Sequence, residues 1–284
     1  MKKSGFYKLW TIIFTIIIIL LVSLGIVLYK QNGNKNREFR YEVYDRIPLE
    51  LENSIVSRDN LKSDVKKVAI IIDDLGWNKE IAKAFLDIDA SISFSILPNL
   101  KFSKTIADEA GFKGRDVLLH LPMEPHGDIA EPPFLKQLTD KMDKDDINIL
   151  ITDYISSIPH IVGVNNHMGS KFTENGQYTK YVMEILKNKN LFFIDSFTTP
   201  KSMGYQTAKK SGVKTARRNV FLDNIEDEEY IKGQIEKLIN LSQKNGSAIG
   251  IGHPHHQTLS ALQKMVAVIK EKGIEIVPVS ELVN

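Results

Sequence analysis

The chain has 284 residues, 43% of them apolar, a formal net charge of +2 and no cysteine. That length admits one large domain or two small ones, and the near-neutral charge, with no basic stripe outside the amino terminus, argues against a nucleic-acid partner. The missing cysteine excludes disulfides, thiolate nucleophiles and Cys-ligated zinc.

Leu9 to Tyr29 is almost wholly apolar and uncharged. At about 21 residues it is long enough for a helix to cross a hydrocarbon core of roughly 30 Å. Lys2, Lys3 and Lys8 precede it, which favours a cytoplasmic amino terminus at residues 1–8, an anchor at 9–29 and an extracytoplasmic remainder. A cleaved signal peptide is the alternative, but no Ala-x-Ala-like site stands near Gly25 or Tyr29. Residues 30–66 are polar, with no sustained period, and read as a linker. The domain then runs from 67 to 284.

That domain opens on Val68-Ala69-Ile70-Ile71-Ile72-Asp73-Asp74-Leu75-Gly76. Five uninterrupted apolar residues predict a strand buried on both faces, ending in two carboxylates. Helical spacing over Asn78–Leu86 follows, then a strand at Ser91–Leu97 and a helix at Phe102–Gly111. A third strand, Asp116–Leu121, carries His120. The loop from Pro122 to Leu138 holds four prolines and is long for a connection, which makes it a candidate substrate lid. Helix Asp143–Ser157 leads to a strand at Ile161–Asn165 that delivers Asn166 and His167. Helix Thr179–Asn188 precedes the strand Leu191–Ile194, which ends in Asp195-Ser196. Helix Lys201–Ser211, extended Val213–Ala216, an irregular segment to Asp223 and helix Glu226–Lys244 come next. Strand Ser247–Ile251 ends in Gly252-His253-Pro254-His255, and helix Leu259–Glu271 leads to the strand Glu275–Val279.

Strands alternating with helices predict one α/β domain, a single (β/α) barrel of seven or eight parallel strands, with a doubly wound open sheet as the alternative. No Gly-x-Gly-x-x-Gly follows the first strand, so nucleotide binding has no motif. Parallel strands bring Asp73, Asp74, His120, Asn166, His167, Asp195 and His253 to one rim, the place where a barrel assembles a divalent-metal site from carboxylates and imidazoles. Neighbours in a strand face opposite ways, so one of Asp73 and Asp74 binds and the other acts as base or orienter. His126, His160 and His256 read as structural histidines.

The blocks Ile72-Asp73-Asp74-Leu75-Gly76, His120-Leu121-Pro122-Met123-Glu124-Pro125, Asn165-Asn166-His167-Met168-Gly169-Ser170, Asp195-Ser196 and Gly252-His253-Pro254 resemble the successive motifs of the divergent polysaccharide deacetylase family. The resemblance implies a barrel related to metal-dependent enzymes that remove acetyl groups from chitin-like polymers and peptidoglycan. It makes Asp73 the catalytic base, Asp74 a metal ligand and His253 the general acid. The wider superfamily takes its other ligands from His-x-x-x-His, and this chain departs from that pattern, because His126 stands too far from His120. His167 is then the candidate for the second imidazole, giving Asp74, His120 and His167 as ligands of a divalent metal, zinc. Glu124, Asn166, Asp195 and His255 are candidate substrate contacts. The superfamily's Arg-x-Pro motif is also missing. The expected activity is removal of acetyl groups from an envelope or extracellular polysaccharide or a peptidoglycan-like substrate. The alternatives are a barrel that has lost catalysis and binds glycan or assists envelope assembly, and a metal hydrolase of another ester or amide.

Overall fold

The computed structural model describes residues 65–127, 132 and 135–284. The expected tail, anchor and most of the linker lie outside the described residues, as do the middle residues of the loop read as a lid. Among the described residues no helix is long and apolar enough to cross a membrane.

Among the described residues there are nine strands and seven α-helices, alternating except where the seventh strand follows the sixth directly. They are β1 (Lys66–Leu75), α1 (Lys79–Leu86), β2 (Ser93–Ile96), α2 (Ser103–Phe112), β3 (Val117–Met123), α3 (Lys144–Ser157), β4 (Ile161–Met168) and α4 (Gly176–Asn188). Then come β5 (Phe192–Asp195), α5 (Gly204–Ser211), β6 (Thr215–Arg217), β7 (Val220–Phe221), α6 (Glu228–Asn245), β8 (Ser247–Gly252), α7 (His256–Glu271) and β9 (Ile274–Ile276). Side-chain caps start four of the helices: Asn78, Asp143, Asn175 and Asp227 each accept from backbone N–H groups in the first turn, and the Asn175 cap starts α4 at Gly176, ahead of the expected Thr179.

Every pairing is parallel, in the order β6-β5-β4-β3-β2-β1-β8-β7, with β9 beside the start of β1. Strands β1 to β6 are added on one side in sequence order, and β8 returns to the other side of β1. That winding is a curled (β/α) barrel sheet of eight strands rather than an open sheet whose order reverses at a switch point. The seam falls between β6 and β7, and the two residues joining them span it. Arg218 N–H donates to Asp195 O at 3.0 Å on one side, and Asn219 N–H to Ile249 O at 2.8 Å on the other.

Alternation along the strands divides the core in two. Val68, Ile70 and Ile72 of β1 face outward with Phe94, Leu119, Val164 and the apolar stripes of the helices. Ala69 and Ile71 face inward with Leu118, Phe192, Ile194, Phe221, Ile249 and Ile251, and Val279 packs on this inner cluster. Val279 N–H also donates to Ser93 Oγ at 3.0 Å. Above this apolar filling the inward positions turn polar, and there the carboxyl ends of the strands build the site.

Two local differences from the sequence reading have physical causes. Helix α5 begins at Gly204 rather than Lys201, because Asp195 Oδ2 accepts from Ser202 Oγ and Tyr205 N and holds residues 199–203 in a turn. The segment read as irregular contains the two-residue strand β7, which pairs with Gly250 and Ile251 of β8.

Candidate active site

Asp73 and Asp74 end β1, and both are buried, at 2% and 4% exposure. Strict alternation would send them to opposite faces. Instead Asp74 takes a left-handed backbone, φ +55°, and the pairing with β2 shifts register between Ile72 and Leu75. A non-glycine residue held there is strained. The result is that both carboxylates reach one imidazole: His120 Nε2 lies 3.0 Å from Asp74 Oδ1 and 3.6 Å from Asp73 Oδ2.

The second imidazole comes from the next strand. His120 pairs with Asn165 and Pro122 with His167 in the β3–β4 ladder, so His167 stands one pleat above His120 on the same inner face. His167 Nδ1 is 2.9 Å from Asp74 Oδ1 and 3.2 Å from His120 Nε2. Three ligand atoms thus form a triangle with sides of 2.9 to 3.2 Å. Donors at about 2.0–2.2 Å from a tetrahedral ion are separated by little more than that, so the residues fit a divalent cation. The carboxylate adds a second sign, for neither Asp74 oxygen has a hydrogen-bond partner of good geometry although both are buried. A buried carboxylate left that way is costly unless a cation meets it.

The two carboxyls have opposite electrostatics. Burial pushes Asp74 up, but His167 and His120 outweigh it and hold the group well below the usual carboxylate range. For Asp73 burial wins: His120 and His253 offset it only in part, the Asp74 charge adds to it, and the carboxyl is raised. Environments that separate two neighbouring acids in this way are a mark of functional sites.

Across β1 stands β8, with Ile72 paired to Gly252, so His253 follows beside Asp73. Its Nδ1 is 2.9 Å from Asp223 Oδ1, and Asp223 Oδ2 accepts from His253 N–H at 2.6 Å and from Thr258 Oγ at 2.7 Å. Burial pulls the His253 pKa down, but Asp223, with Asp74 and Asp73 behind it, pushes it up to about 9. The ring stacks on Phe221 at 6.2 Å, and the Arg218 guanidinium carbon lies 3.7 Å from the centre of the Phe221 ring. Asp223, His253 and His255 form a second group of clustered donors. Asp223, however, is already occupied by three hydrogen bonds.

The structure therefore brings Asp73, Asp74, His120, His167 and His253 together. The four candidate substrate contacts are all engaged within the protein. Glu124 bonds Lys171 Nζ at 2.8 Å and Asp140 N at 3.1 Å, pinning the loop base. Asn166 joins Ser196 N to Met168 O across the ends of β4 and β5. Asp195 is fully buried and accepts from Phe197 N, Ser202 Oγ and Tyr205 N. His255 lies 3.5 Å from Glu226 at the rim. His126 and His160 pair with Glu174 and Asp108 on exposed surfaces.

Sequence reasoning missed two residues. Asn165 sits on the same strand face as His167, two positions away, whereas Asn166 points elsewhere; applying the period of two to β4 selects Asn165. Asp223 ends the apolar run Val220-Phe221-Leu222, the same pattern of a strand surfacing in a charge that marks Asp73.

Comparison with known proteins gives the family of the chain. The model of the divergent polysaccharide deacetylase family matches residues 70–283. The uncharacterized protein YibQ of Escherichia coli K12 is 38% identical over 219 residues, 77% of this chain and 67% of that protein. An uncharacterized protein of Haemophilus influenzae is 34% identical over 197 residues, 69% of this chain and 70% of that protein. Among solved structures, the uncharacterized protein ATU2773 of Agrobacterium tumefaciens C58 superposes with a TM-score of 0.72 at 24% identity, over 80% of this chain and 93% of that one, a likeness of fold. With the family model spanning nearly the whole barrel, this chain belongs to the divergent polysaccharide deacetylase family.

Proposed function

We propose that the protein is a metal-dependent hydrolase that removes acetyl groups from an N- or O-acetylated envelope polysaccharide, peptidoglycan-like in class. One observation carries this reading: the Asp74–His120–His167 triangle lies beside a second carboxylate with a raised pKa and opposite a protonated imidazole. Two imidazoles and one carboxylate are a donor set suited to zinc. When bound there, the ion supplies Lewis acidity toward the acyl carbonyl and lowers the pKa of water.

The chain's own residues supply the proton traffic. Asp73 is held by Asn165 Nδ2 at 2.9 and 3.1 Å, and its raised pKa brings it closer to neutrality, where a carboxylate is a more effective general base for the attacking water. His253 keeps one proton on Nδ1 against Asp223 and is charged at neutral pH, so its other nitrogen donates to the leaving amine or alcohol. The acid and the base come from adjoining strands, β8 and β1.

The uncharged apolar run at residues 9–29, with lysines ahead of it, supports a single-pass anchor and a barrel outside the cytoplasm, where such polymers lie. Metal analysis of the purified protein together with acetate release from N-acetylglucosamine oligomers tests the reading. Stoichiometric zinc with metal-dependent acetate release is expected. Oligosaccharide binding without release would favour a glycan-binding barrel instead, and release only from non-glycan esters or amides would favour a different hydrolase.

A further inference from the structure

Asn165 is fully buried on the inner face of β4. Its Nδ2 lies 2.9 and 3.1 Å from the two Asp73 oxygens and 3.2 Å from Ser196 Oγ. Its Oδ1 lies 2.5 Å from Ser95 Oγ and 3.1 Å from His120 Nδ1. Both ends of the carboxamide are thus filled, and their order is fixed by chemistry. A carboxylate only accepts, so the NH2 end must face Asp73, which leaves the carbonyl oxygen toward Ser95 and His120. A carbonyl oxygen only accepts as well. His120 Nδ1 must therefore carry a hydrogen, and in the neutral ring Nε2, the nitrogen aimed at Asp74 and His167, presents its lone pair.

We propose that Asn165 is a positioning residue that acts through both of its neighbours: its carbonyl selects the His120 tautomer whose Nε2 can ligate a metal, while its NH2 group orients Asp73 as base. This deepens the deacetylase reading and rests on it for the Asp73 half only. The His120 half follows from the donor logic alone. With that tautomer, Nε2 and Asp74 Oδ1 face each other at 3.0 Å as two lone pairs, an arrangement that a cation relieves.

The test separates the two ends. In the metal-stripped full chain labelled with 15N at histidine and recorded at about pH 8, the His120 signals, identified by their loss in His120→Gln, should show a protonated Nδ1 and an unprotonated Nε2. The opposite tautomer overturns the proposal without any change at Asn165. Asn165→Ala removes both ends, and zinc affinity measured by calorimetry should fall by about 10- to 100-fold, the usual effect of losing a partner that orients a ligand. Asn165→Asp keeps an acceptor for His120 and loses the donor to Asp73. It should bind zinc within about threefold of the parent, or more tightly, on the same scale, while acetate release falls to background. Equal losses of zinc affinity in both variants, tracking their melting temperatures, would mean that Asn165 only fills space. A parent that binds zinc but releases no acetate removes the deacetylase reading and leaves the nitrogen and zinc measurements in force.

Discussion

Asp74 Oδ1 touches two imidazole nitrogens at 2.9 and 3.0 Å, and replacing any corner of that triangle should cost the site its metal. His167→Ala is expected to abolish stoichiometric zinc in metal analysis, whereas His253→Ala should retain zinc and lose about 10²- to 10⁴-fold in acetate release, the range of a lost general acid. If both variants bind zinc as tightly as the parent, the ligand set is wrong. The His253–Asp223 pair also predicts a pH dependence of stability in the metal-free protein. The folded His253 pKa of about 9 lies above the ordinary 6.5, so the charged imidazole contributes stability that is complete below about pH 6.5 and is lost as pH rises through about 9. The contribution is on the order of 3 kcal/mol. Denaturant midpoints measured across that window should fall for the parent and stay level for Asp223→Asn. Bound metal offsets the Asp74 charge that helps to raise this pKa, so the loaded protein should lose its general acid at a lower pH.

At the scale of elements, the inner face of β4 reads Gly163, Asn165, His167. The glycine is there because the Phe192 ring of β5 occupies the space its side chain would take. Gly163→Ala should therefore destabilise the domain by about 1–3 kcal/mol, as overpacking in a filled core does, read as a lower midpoint in urea unfolding. The same strand shows what sequence could reveal. The apolar runs of β1, β3 and β8 were legible because parallel strands are buried on both faces, and the helices were legible from their stripes and their Asn and Asp caps. The period of two along β4 points to Asn165, which shares the inner face with His167, and not to Asn166. Asp73 and Asp74 were assigned to opposite faces by the same period. What breaks the rule there is a left-handed residue in a bulge, set by tertiary strain at the strand end and not by any local propensity of the sequence. Strand β7 was illegible for a different reason: two residues carry no periodic signal, and they become a strand only by pairing with Gly250 and Ile251 of β8.

At the scale of the molecule, the amino end of the barrel is closed by the carboxyl-terminal segment 274–283. Lys66–Val68 pair with β9, Lys67 bonds Glu281 at 2.8 Å, and Val279 joins the inner cluster. With both core clusters built from residues 68–283, a chain of residues 66–284 should be soluble and melt in one cooperative transition, measured by calorimetry, and an aggregated or molten product would show that the preceding segment belongs to the fold. The full chain should partition with membranes and expose its barrel to external protease, if residues 9–29 anchor it as proposed.

The placement of β1 between β2 and β8 has a kinetic consequence. The bond from Val279 to Ser93 joins residues 186 apart, and the ion pair from Lys67 to Glu281 joins residues 214 apart. Loop-closure entropy must be met before such distant pairings return any stability, which makes them slow to form. The strand that carries both carboxylates is made early yet keeps an open apolar edge until β8 and the segment after it have been synthesised. Refolding should then regain metal binding in the slowest phase, together with barrel closure, and a half-finished chain should need shielding from aggregation for as long as that edge is bare.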